Sequence, residues 1–92
     1  MKIELAHLRE KSTSGGWIDF AIFNAKSTTG SDSDNAALLS ELTGKARASG
    51  LKIDQAALVY RQAGQNRFYG DKNLVNYLSK RGVPRWTHKI DA

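Results

Sequence analysis

Cysteine is absent from this sequence and proline occurs once, at position 84. Without cysteine there can be no disulfide, thiolate metal site or thiol nucleophile, and the chain suits a reducing compartment. Long apolar runs are missing as well. No stretch approaches the ~18 residues that a membrane-crossing helix needs, and the opening residues lack the layout of a secretion signal. These absences point to a soluble, cytoplasmic chain. Aromatic residues are few, at 9%, so the position of each tryptophan matters.

What is present is an ordinary globular balance of 40% apolar and 25% charged residues over 92 positions, enough for one small core and a single domain. The net charge of +5 is unevenly spread. Residues 1–44 hold four Lys/Arg against six Asp/Glu, a net of −2, whereas residues 45–92 hold ten against three, a net of +7. A cationic half attracts nucleic acid, acidic protein surfaces or anionic lipid.

Hydrophobic periodicity predicts the order ββαββαβ. Ile3 and Leu5 alternate and then lose phase at Leu8, which predicts a strand with a bulge near Ala6-His7. After the turn STSGG, Ile18, Phe20 and Ile22 alternate with Trp17, Asp19, Ala21 and Phe23, so residues 2–10 and 17–25 form an antiparallel hairpin. Ser33 or Asp34 is a fitting N-cap for a helix whose stripe is Leu38, Leu39, Leu42 and Ala46, weakened at Gly44 and stopped by Gly50. Residues 56–62 and 66–69 flank AGQ as a second hairpin. A second helix follows, with Asp71 as cap, Leu74, Val75 and Leu78 as stripe and Gly82 as stop; Pro84 then leads into a final edge strand, RWTHKI. The two helical stripes repeat at a spacing of 36 residues. The expected fold is therefore a small two-layer α+β domain. It has a mostly antiparallel sheet of four or five strands with both helices on one face, leaving the other face free for a partner.

Several chemical signatures are excluded by spacing. The loops KSTSGG and KSTTGS and the GK of LTGKA do not match a phosphate-binding loop, and DSDN lacks the glycine and terminal glutamate of a calcium loop. His7 and His88 have no second ligand at metal spacing, so neither metal nor cofactor is expected. Glu4, Asp19, His7 and His88 could converge only if the first, second and last strands were neighbours. Solvated strand positions explain them more simply, so an enzyme is not expected.

The basic half mixes cations with flat rings, the chemistry of a groove that neutralises phosphates and stacks bases. Arg61, Arg67, Lys72, Lys80, Arg81, Arg85 and Lys89 are the expected phosphate contacts, although Lys80 and Arg81 also belong at a helix C-terminus for structural reasons. Alternation in the last strand sets Arg85, Thr87 and Lys89 apart from Trp86, His88 and Ile90, favouring Trp86 as core. Trp17 and Phe23 fall opposite the face carrying Ile18, Phe20 and Ile22. They are expected to anchor a protein partner, to cover the second face, or to form a homodimer seam. No zinc-finger, RNA-recognition or helix-turn-helix signature is present.

With WIDFAIF near its start and LSKRGVPRWTH near its end, the chain resembles small proteins of bacterial prophages and mobile elements. The resemblance implies a bacterial cytoplasmic setting and a binding role, on nucleic acid or on a host protein. The expected function is a small non-enzymatic module that contacts a polyanion through its C-terminal half. The alternative is an inhibitor or adaptor that meets an acidic host surface through Trp17, Phe23 and the basic face.

Overall fold

In the segments DFAIF and AALV neighbouring residues are buried one after another, which requires cover on both sides of a strand, because successive side chains point to opposite faces. The computed structural model, which describes residues 1–92, has the expected element order. It runs β1 (Lys2–Lys11), β2 (Trp17–Asn24), α1 (Asp32–Ala48), β3 (Gln55–Gln62), β4 (Gln65–Gly70), α2 (Lys72–Arg81) and β5 (His88–Asp91). The five strands form one sheet in the order β4-β3-β2-β1-β5.

The sheet is mixed. β1 pairs antiparallel with β2 and with β5, and β3 pairs antiparallel with β4, but β2 and β3 run parallel. The parallel pair follows from the long connection: α1 carries the chain back along the sheet, so that β3 starts from the same end as β2.

The helices do not share a face, contrary to the sequence expectation. Leu5, Ala21, Phe23, Ala56, Leu58 and Ile90 pack with Leu42 and Ala46 of α1, whereas Ala6, Phe20, Ile22, Ala57 and Val59 pack with Leu74 and Leu78 of α2. Alternate residues of each central strand thus feed two separate cores, and the architecture has three layers rather than two. The same fact removes the expected bulge. The β1–β2 register is unbroken from Leu5↔Phe23 to Lys11↔Trp17, and Leu8 is apolar because it faces α2 while Leu5 faces α1.

Phe23 is fully buried in the α1-side core and so is no partner anchor. Trp86 does pack against a core and is half-buried, but it lies on the α2 side while Ile90 lies on the α1 side, so the alternation expected to place them on one face fails because residues 82–87 are not a strand. The N-cap of α1 is Ser31, ahead of both expected candidates, Ser33 and Asp34, and its hydroxyl accepts from the Asp34 amide. Asp71 opens α2, but its carboxylate accepts from the Ala56 amide instead of capping, and so ties the helix entrance to β3. Gly70 just before it is required by close approach. With φ at 153°, a Cβ there would lie 2.4 Å from the Ala56 carbonyl oxygen and 2.6 Å from the Ala57 Cα. The last strand is shorter than RWTHKI: residues 82–87 form an irregular segment in which Val83 and Trp86 pack on the α2 side before β5 begins.

Candidate functional site

The ten lysines and arginines of residues 45–92 take part in no ion pair. The pairs that exist join Lys2 to Asp91 at 3.0 Å and Arg9 to Asp19 at 4.0 Å, and the His7 Nε2 lies 3.9 Å from the same Asp19 carboxylate. Several carboxylates are occupied by neutral donors instead. Asp54 accepts from the Asp19 amide, Asp71 from the Ala56 amide and Glu10 from the Tyr77 hydroxyl, while Asp34 is joined to the Thr29 hydroxyl. Several negative groups are used to fasten the fold, and the cations of the second half form no ion pair.

Strand register shows which of the expected phosphate contacts come together. Arg61 alternates in phase with Val59 and lies on the α2 side, whereas Arg67 pairs with Tyr60 and lies on the α1 side. Lys80 and Arg81 close α2, and the Arg81 guanidinium sits 5.0 Å from the centre of the Tyr77 ring. Arg85 is exposed in the segment that packs on the α2 side, and Lys89, opposite Glu4, belongs to that side also. Lys72 instead lines a groove of about 720 Å³ between α1 and the β3–β4 hairpin, where Arg47, Asp54 and Asp71 mix the charges. By register and helix packing Arg61, Lys80, Arg81 and Lys89 therefore share one side of the sheet, Arg67 and Lys72 do not, and Arg85 stands exposed in the segment between α2 and β5.

A smaller notch lies on that same side. Val59, Val83 and Trp86 supply apolar surface and Asn24, Arg61 and Asn66 polar groups, around a volume of about 230 Å³. It sits at the carboxyl ends of the parallel strands, since Asn24 is the last residue of β2 and pairs with Val59 of β3. Crevices at this end of parallel strands are the usual ligand sites of open α/β sheets. Neither the Asn24 nor the Asn66 side-chain amide has a hydrogen-bond partner within the protein, and both residues are exposed. Nothing local marks them, and only the β2–β3 pairing and the Arg61↔Asn66 register of the hairpin bring them beside Trp86.

At the other end of the sheet, on the α1 side, His7, Asp19 and His88 do converge, because β2, β1 and β5 are neighbours. Glu4 does not join them, as it faces the other side. The His7 Nε2–H donates to the Lys52 carbonyl at 2.7 Å, the Thr87 hydroxyl bonds His88 Nδ1 at 2.7 Å, and the two rings meet edge-on with centres 6.0 Å apart. His7 thus clips the loop after α1 to the sheet. Trp17, near this cluster, is 56% exposed, with the Arg9 guanidinium 5.1 Å from its ring centre.

Comparison with known proteins gives this chain no relative: no family model, curated protein or solved structure matches it. No helix is long and apolar enough to cross a membrane.

Proposed function

We propose that this protein is a non-enzymatic binding module for nucleic acid or a similar polyanion, acting in the bacterial cytoplasm in line with its resemblance to prophage-borne proteins. The observation that carries the reading is a set of exposed cations that form no ion pair. Arg61, Lys80 and Arg81 lie on the α2 side, Arg85 is exposed in the segment that follows α2, and none pairs with a carboxylate. Phosphate neutralisation gives affinity without sequence choice and makes that affinity fall with salt. Fluorescence anisotropy with labelled DNA and RNA at rising salt is the test. Four neutralised phosphates on a single strand give a log-log slope of about −3. The double variant Arg81→Glu/Arg85→Glu is expected to lose binding while keeping its circular-dichroism spectrum, because both side chains are exposed. No binding at low salt would refute the reading.

A second reading, a protein-interaction module, is favoured by Trp17 alone, an exposed indole beside a cation. Equal recovery of the same partners from bacterial lysate by wild type and Trp17→Ala removes Trp17 from that account.

A further inference from the structure

We infer that the notch beside Trp86 seats one nucleobase, so that the polyanion taken by this chain is a single-stranded nucleic acid. The inference rests on the polyanion reading and gives it a site.

The size of the notch comes first. Pockets that enclose a whole small-molecule ligand run from ~300 to ~1,000 Å³, and the notch, at about 230 Å³, is smaller. It suits one ring system whose attached backbone stays outside. Its chemistry is that of a base site. Trp86 packs on the α2-side core, is half-buried and lines the notch, and an indole in such a position is the kind of group on which a base stacks. The Asn24 and Asn66 amides each carry a donor pair and an acceptor with no internal partner, and amides of this kind read the hydrogen-bonding edge of a base.

Charge then orients the chain. Arg61 spends one N–H on the Gly64 carbonyl at 3.0 Å and keeps its other donors, and exposed Arg85 directly precedes Trp86. Both can meet phosphates flanking the seated base. A duplex cannot use this arrangement, because its bases are stacked and their pairing edges occupied. A ringless polyanion can satisfy the arginines but leaves the notch empty.

The test uses the full chain carrying Trp17→Phe, in which Trp86 is the sole indole. It is titrated with a short single-stranded oligonucleotide, with the same sequence as duplex, and with heparin as a polyanion without bases. The expected result is quenching of Trp86 emission by the single strand alone. The Asn24→Ala/Asn66→Ala variant should weaken single-strand binding by about tenfold, the scale of losing one base contact, and leave heparin binding unchanged. A thermal melt matching the parent establishes that this variant is folded; Trp86→Phe, which keeps a ring in the core, provides a second perturbation with the same expected selectivity. Binding of all three probes with Trp86 emission unmoved, or equal loss of heparin and oligonucleotide in the variants, overturns the base seat and leaves the polyanion reading standing. Binding of none of the three refutes the polyanion reading itself.

Discussion

Tyr77 shows how one residue can serve the fold while looking like part of a binding surface. Its ring packs 5.6 Å from that of Phe20, its hydroxyl donates to the Glu10 carboxylate at 2.7 Å, and Arg81 lies over the ring. The hydrogen bond to Glu10, helped by burial and by the Glu10 charge, raises the phenol above its ordinary 10.0, with Arg81 opposing. The folded state therefore holds this proton more tightly than the unfolded chain. Its contribution to stability is complete below pH 10 and is lost as pH rises through the higher folded value. In an ultraviolet titration one of the three tyrosines should ionise later than free tyrosine, and Glu10→Gln should bring it back toward the ordinary range. Tyr77→Phe should cost about 1 kcal/mol in denaturant unfolding, the net worth of a typical hydrogen bond. In the sequence Tyr77 was legible only as an aromatic near cations, since its partner Glu10 lies 67 residues away on another element.

At the scale of elements the sequence signals were strong where the cause is local. Both hairpins, both helices and the glycine stops follow from turn chemistry and periodicity, and they appear where that chemistry puts them. Boundaries that depend on distant partners moved. Asp71 turns its carboxylate to β3 rather than to its own helix, and β5 shrinks to four residues because Trp86 is drawn to the α2-side core. Gly44 is the local weak point of α1. Nothing lies within 4 Å of a Cβ built there, so its cost is purely that of a flexible backbone inside a helix. Gly44→Ala should raise the unfolding free energy by about 0.5–1 kcal/mol, measurable as a higher denaturant midpoint at unchanged slope. A loss of stability instead would mean that the open space beside Gly44 is not open.

Across the whole molecule, the sheet is shared by two cores, one under each helix. Leu42 of α1 and Leu74 of α2 are both completely buried. Leu42→Ala and Leu74→Ala are each expected to cost about 2–5 kcal/mol, the range for emptying a packed core position. Far-ultraviolet circular dichroism and tryptophan fluorescence should report one common transition for each variant. Near-neutral behaviour of either substitution would mean that its helix does not cover the sheet as described. Charge is also organised at this scale. Carboxylates of several elements are taken up by backbone and hydroxyl donors, and the later cations, distributed along the chain, form no ion pair.

The sequence by itself determined the α+β class, the succession of strands and helices, and the excess positive charge of the second half, because periodicity, caps, turn residues and net charge are properties of neighbours along the chain. The tertiary structure decided that β2 and β3 run parallel, that the helices lie on opposite faces, that Phe23 is core, and that Asn24 and Asn66 meet beside Trp86. Those outcomes depend on which strand edges pair and which side each crossover takes. An alternating strand buried on both faces is compatible with either side, so only the packed molecule makes the choice.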